Sequence, residues 1–246
     1  LSRLGFDDIL IGYPTVAEID IRSALQEVKV GKKIIFMACS LEHLVVLEKI
    51  AKELGVQALV CLDIDQATPV PGIYFGVRRS SLRGEVNVLA FVRRIEDSQQ
   101  LQFFGLMGYD AQIAGVQDNH GRFNLKDFVV RILKTWSVHR LKKERNRLAK
   151  SLKGAGFKIR LFNVGGTGSL IDFSDEDCST ELTAGSGFYG PRLFDHYQKL
   201  SLKPALIFTV PVTRKSNGNW ITCHGGGYIA SGQAGIDRLP YPYLPR

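Results

Sequence analysis

The 246-residue sequence contains no apolar run of the ~20 residues that a membrane-spanning helix needs. Its opening, Leu1-Ser2-Arg3-Leu4-Gly5, lacks the pattern of a signal peptide, so a soluble protein is expected. Cysteine is sparse. Cys39, Cys61, Cys178 and Cys223 form no C-x-x-C pair, and Cys39 and Cys61 sit in apolar, strand-like runs, which predicts reduced thiols and a cytoplasmic location. Acidic residues are scarce between Lys126 and Lys153, where ten Lys/Arg are set against only Asp127 and Glu144. What is present is apolar matter in quantity: 45% hydrophobic and 10% aromatic residues supply a large core and exclude disordered, collagen-like and coiled-coil readings. The length suits one large α/β domain, or part of a barrel with an appendage.

The net charge of +8 fits an anionic ligand, an acidic surface or nucleic acid equally well. The basic run from Lys126 to Lys153 reads as a solvated helix face, and no nucleic-acid-binding motif accompanies it. The chain opens on Leu1 and ends in the Pro-rich stretch Leu239 to Arg246, so both ends are expected to be cuts through a longer protein.

Short apolar runs alternate with helical periodicity, the pattern of βαβ units and a mainly parallel sheet. Strands are predicted at Asp8 to Tyr13, Ile34 to Ala38, Ala58 to Asp65, Leu101 to Leu106, Phe157 to Val164 and Ser179 to Ala184, with a short one at Ile73 to Val77. Thr15 and Glu18 predict a capping box for a helix to about Val28. Ser40 predicts the cap of a helix whose Leu44, Leu47, Ala51 and Leu54 share a face and which Gly55 stops. A helix is expected over Glu85 to Glu96, and a long basic one after Asn124, with Phe128, Ile132 and Trp136 on one face. After Lys203 the rhythm changes to two strands, Ala205 to Arg214 and Asn219 to His224, joined by a hairpin-like turn. Periodicity by itself leaves an incomplete barrel and an open doubly wound sheet equally open.

In parallel α/β folds ligands sit at the carboxyl ends of strands. Two consecutive strand ends there are glycine-rich: Asn163-Val-Gly-Gly-Thr-Gly-Ser169 and Ala184-Gly-Ser-Gly-Phe-Tyr-Gly190. Glycines let successive N–H groups point into a concavity, and Thr167 and Ser169 add hydroxyls, which is what a phosphate needs. Neither a Walker loop nor a dinucleotide fingerprint is present. Asp63 and Asp65, two apart on a strand, project to one side and could hold a cation or orient a cofactor, or simply meet water at a strand end. Arg78, Arg79 and Arg83 form a basic group suited to a substrate carboxylate, to Asp65 or to a solvated turn. Tyr109 is placed to flank an aromatic ring or act as an acid/base. Cys223 and His224 point to opposite faces and do not make a metal site, and the other histidines read as surface residues.

Together these segments resemble the fold-type III pyridoxal-phosphate enzymes of the alanine racemase N-terminal domain superfamily, in particular the group of D-threonine aldolase, D-serine dehydratase and the amino acid deaminase/aldolases. The resemblance lies in Gly5 to Pro14, in Cys61 to Asp65 followed by Gly76-Val-Arg-Arg-Ser80, and in Gly105 to Gly115. It continues through Gly165 to Ser169, Glu181 to Tyr189 and Gly225 to Gly232, in order along nearly the whole chain.

The resemblance implies a TIM-type (β/α)8 barrel lacking its first strands in this chain (1–203), followed by the start of a β-rich second domain (204–246). It implies pyridoxal 5'-phosphate as cofactor, with Gly165, Gly166, Thr167, Gly168, Ser169, Gly185 and Ser186 at its phosphate and Tyr109 beside it. It implies a homodimer acting on a small amino acid, a lyase on a D-β-hydroxy amino acid being the leading expectation. A racemase of the same fold and a non-catalytic phosphate-ligand binder are the alternatives, and no nucleic-acid or membrane partner is expected. The family's aldimine lysine lies on the first barrel strand, which the resemblance places before Leu1. The metal ligands of aldolase and dehydratase members would fall beyond Arg246, so none is assigned here.

Overall fold

The computed structural model describes residues 1–121, 124–226, 239 and 241–244. They divide into two compact units, Leu1–Val116 with Ile132–Thr183, and Gln117–Arg131 with Ala184–Arg246.

The first unit is built on a six-stranded, all-parallel sheet in sequential order: β1 (Asp8–Ile11), β2 (Lys33–Ala38), β3 (Ala58–Asp63), β6 (Leu101–Gly108), β7 (Leu161–Val164) and β8 (Glu181–Leu182). Right-handed crossovers demand a connection between each pair, and the chain supplies α1 (Glu18–Lys29), α2 (Leu41–Leu54), α3 (Glu85–Glu96) and α5 (Leu125–Gly154). A small antiparallel pair, β4 (Thr68–Val70) with β5 (Ile73–Phe75), and two short helices, α4 (Ala111–Ala114) and α6 (Leu170–Phe173), lie within the connections. The six strands curve into part of a barrel.

Alternation decides which side chains face where. Ile34, Phe36 and Ala38 of β2, Val60 and Leu62 of β3, and Phe162 and Val164 of β7 join the core under the helices. Their neighbours Ile35, Met37, Cys61 and Leu161 form a second, smaller cluster on the inner face of the sheet. Asp63, Met107 and Asn163 continue that inner face to the carboxyl ends of their strands.

Several local expectations hold. The Ser40 hydroxyl accepts from His43 N–H at 3.4 Å, Gly55 ends α2 with φ +67°, and α3 spans Glu85–Glu96. Others are corrected. Thr15 accepts from Ala17 N–H at 3.0 Å and α1 starts at Glu18, so Thr15 makes a turn ahead of the helix rather than a capping box. β7 is four residues and β8 two, both shorter than the runs expected from the sequence.

In helix α5 the basic run read as a solvated face is so only in part, since Lys134 and Arg145 are buried. Phe128, Ile132 and Trp136 share a face, but that face is 50%, 53% and 45% exposed, while Leu141, Arg145, Leu148 and Leu152 make the buried one. At the start of the helix Asn124 accepts from Lys126 N–H at 2.9 Å, whereas Asp127 turns back to bind His120.

In the second unit the described residues contain one two-stranded sheet, β9 (Val212–Lys215) against β10 (Ile221–Cys223), antiparallel and exposed, in place of the longer strands expected from Ala205. The Asp127 carboxylate binds the His120 ring at 2.8 Å and its backbone N–H at 2.9 Å, and the His120 and His196 rings stack 5.1 Å apart. Of the Gly225 to Gly232 motif, residues from 227 onward lie outside the described residues, as do 240, 245 and 246 of the Pro-rich end.

Candidate functional site

The carboxyl ends of β1, β2, β3, β6 and β7 bring together most of the residues singled out in the sequence. Asp63 ends β3 on the inner face with 1% exposure. An ionised carboxylate there needs a cation, and Arg79 supplies it, its Nε donating to Asp63 Oδ2 at 2.9 Å. The second carboxylate oxygen, Oδ1, is buried and has no hydrogen-bond partner. Burial pushes the Asp63 carboxyl up, against the pull of the guanidinium.

Arg79 is fixed by its neighbours. The Ser80 hydroxyl donates to Asp63 O at 2.5 Å, and the Ser81 hydroxyl to Cys39 O at 2.9 Å, so the segment is laced across the ends of β2 and β3. Its guanidinium lies 5.4 Å from the ring centres of both Tyr13 and Tyr109 and reaches Gly12 O at 3.5 Å. Of the other arginines in the group, Arg83 pairs with Asp65 at 3.2 Å and Arg78 packs on Tyr74. Asp65 further accepts from Ala67 N–H and from the Tyr74 hydroxyl. The two aspartates thus take different arginines and do not act as one pair, because the strand ends at Asp63 and the chain turns away before Asp65.

Tyr109 follows β6 and is half-buried. Burial, then the neighbouring Asp110, push its phenol up, so it holds its proton. The glycine loop after β7 sits against it: a Cβ on Gly166 would lie 3.1 Å from Tyr109 Cε2 and 2.9 Å from the Ala114 methyl. Gly165 has φ +83°, a conformation that L side chains rarely adopt. Within the loop, Gly165 N–H donates to Asp110 Oδ1 at 3.0 Å, Gly166 N–H to the Ser169 hydroxyl at 3.1 Å, and Ser169 N–H to Gly166 O at 2.9 Å. Thr167 and Gly168 lie between these ties and are buried. Gly185 and Ser186 belong to the second unit, where a 3-10 turn at Ser186–Phe188 follows Gly185.

Cys39, at the end of β2, has its thiol 3.8 Å from His43 Nδ1, and that nitrogen accepts the Cys39 N–H at 3.3 Å. Burial pushes the thiol up and the imidazole down, so both are neutral. Among the described residues no group of three or more His, Cys, Asp and Glu is placed to hold a metal ion, and no helix is long and apolar enough to cross a membrane.

The sequence did not single out Arg145. Its guanidinium is fully buried and donates to Gln66 Oε1 (2.8 Å), Glu176 Oε2 (2.9 Å), Gly108 O (3.0 Å) and Asp110 Oδ1 (3.3 Å). A signal was available: positions 141, 145, 148 and 152 are spaced as one helix face, and a charge stands amid three leucines.

No family model matches the sequence, and no curated protein does. Solved structures do match the fold. A D-threonine aldolase from Filomicrobium marinum superposes with a TM-score of 0.73 over 92% of this chain, at 14% identity. The shared fold is a partial TIM-like α/β barrel of six parallel strands. A D-threo-3-hydroxyaspartate dehydratase from Delftia sp. HT23 matches 75% of the chain at TM-score 0.56 and 19% identity, and an alanine racemase from Clostridium difficile 630 matches 80% at 0.53 and 19%. The chain spans 56%, 43% and 43% of the length of these three proteins. The resemblance carried by the sequence motifs is therefore matched by the backbone.

Proposed function

We propose that this chain forms the cofactor-binding part of a pyridoxal-phosphate-dependent enzyme acting on a small amino acid, with a lyase reaction on a D-β-hydroxy amino acid as the specific reading. The observation that carries it is the joint placement, at the carboxyl ends of a fold-type III barrel, of the Gly165–Ser169 loop against the Tyr109 ring with the Arg79–Asp63 pair beside it.

The residues present suit such a group. The glycine at 166 lets the loop backbone pack directly on Tyr109 and Ala114, which a Cβ would prevent. The buried, unpartnered Asp63 Oδ1 and the Arg79 guanidinium offer polar partners for an anionic, heteroaromatic ligand. When bound, pyridoxal phosphate withdraws electrons from the bond that breaks. The chain's own part is to hold and orient. Gly165 to Ser169 would receive the phosphate, Tyr109 would flank the ring with its hydroxyl protonated, and Arg79, neutralised in part by Asp63, would face the anionic groups of cofactor or substrate.

Equilibrium dialysis of the protein against pyridoxal phosphate tests this reading. Saturable binding, outcompeted by excess inorganic phosphate and weakened by Gly166→Val, is expected, and absence of saturable binding overturns it. Assays of aldehyde and ammonia release against racemisation, on small D-amino acids, then separate a lyase from a racemase. A cytoplasmic homodimer, and residues 204–246 as the start of a further domain, belong to the same proposal; gel filtration and limited proteolysis address them.

A further inference from the structure

Arg145 is an unusual residue to place inside a helix-covered sheet. One guanidinium faces two carboxylates, Asp110 and Glu176, with all three side chains inaccessible to solvent, and the Phe173 ring covers the guanidinium at 4.4 Å. Burying such a group contributes less to stability than a well-packed apolar side chain would, so its value lies in what it holds in place. Nε is spent on Gln66 and Nη1 on Glu176. Nη2 reaches the carbonyl of Gly108, which ends β6, and the carboxylate of Asp110, two residues on.

Asp110 hands the constraint to the glycine loop. Its Oδ1 accepts the Gly165 N–H at 3.0 Å, at the point where the chain enters the left-handed region, and its backbone carbonyl accepts from Ile113 and Ala114 at the start of α4. A carboxylate next to a loop that receives a phosphate would repel the phosphate unless its charge were balanced; Arg145 is the cation in contact with it. Burial pushes the Asp110 carboxyl up and Arg145 opposes that rise.

We propose that Arg145 is a positioning residue for the phosphate of the ligand: through Asp110 it fixes the Gly165–Ser169 loop and, shared with Glu176, offsets part of the charge of the carboxylate that anchors it. The inference rests on the reading of that loop as a phosphate site.

The test compares pyridoxal phosphate with pyridoxal, which lacks the phosphate, by equilibrium dialysis with the full chain. The wild type should prefer the phosphorylated ligand. In Arg145→Lys, whose ammonium cannot span four acceptors, affinity for pyridoxal phosphate should fall about tenfold while that for pyridoxal stays unchanged, as expected for the loss of one charge-assisted contact. A parallel loss for both ligands would make Arg145 merely structural and overturn the proposal, as would a folded variant that keeps the full preference. If the Lys variant does not fold, Arg145→Gln with Glu176→Gln removes the guanidinium without changing the net charge of the cluster, and the same selective loss is expected. Failure of both variants to fold would also assign Arg145 to stability alone. A wild type without preference for the phosphate overturns the site reading itself, which is a distinct outcome.

Discussion

Arg79 donates to one oxygen of Asp63 at 2.9 Å and leaves the other buried and unpartnered. The consequence is a pH dependence of stability with a definite sign. Burial holds the Asp63 carboxyl above its ordinary value, so between the ordinary and the raised value the native state keeps a proton that the unfolded chain releases. The stabilisation is fully present below the ordinary value and is lost as pH rises through the raised one. Asp63→Asn cannot ionise. Urea midpoints of variant and wild type should lie close together at pH below the ordinary carboxylate range and separate in favour of the variant as pH rises through the raised value. A difference that does not change with pH would contradict this account of Asp63.

Gly105 lies opposite Leu161 where β6 and β7 pair, and a Cβ there would fall 1.9 Å from Leu161 O and 2.7 Å from Leu161 Cβ. Neither strand can withdraw without breaking the ladder. Gly105→Ala should therefore cost about 3 kcal/mol and lower the melting temperature by roughly 10 °C, read by circular dichroism. An unchanged melting temperature would place β7 elsewhere.

The two faces of α5 make a contrasting pair. Ile132 is 53% exposed and Leu141 is fully buried. Ile132→Ser should leave the urea midpoint within about 0.5 kcal/mol of wild type, whereas Leu141→Ala should cost about 2–5 kcal/mol. The reverse order would mean that the helix buries the face carrying Phe128, Ile132 and Trp136.

Thiol titration separates the cysteines by environment. Cys223 is exposed, whereas burial pushes the Cys178 thiol up to about 12 and that of fully buried Cys61 higher still. With a chromogenic disulfide reagent at neutral pH, Cys223 should react promptly and Cys61 only after denaturation. Prompt modification of Cys61 in the native protein would show that the inner face of the sheet is open.

Much of the fold is legible in the sequence because it is local. Ser40 and Gly55 bracket α2 with a cap and a left-handed stop, the alternation of apolar runs with helical periodicity marks the βα units, and Gly165 to Ser169 announces a tight loop whose first residue takes a left-handed φ. What local pattern leaves open is which side of an element turns inward. Phe128, Ile132 and Trp136 repeat at helical spacing, but spacing says that residues share a face, not which way the face turns. The buried face is instead the one interrupted by Arg145.

The candidate site divides in the same way. By itself the sequence determined the residue types at the strand ends, since a parallel sheet of βα units sends each run's last residues to one edge. Tyr109, the Gly165 loop and the arginines at 78, 79 and 83 follow from that. The tertiary structure decided the pairings: Asp63 with Arg79 rather than Asp65 with the whole basic group, Asp110 with Gly165, and Arg145 with Gln66 and Glu176, at separations of 16, 55, 79 and 31 residues. Such contacts depend on where strands end and how a helix rolls on the sheet, quantities fixed by packing of the whole unit and carried by no short window of residues.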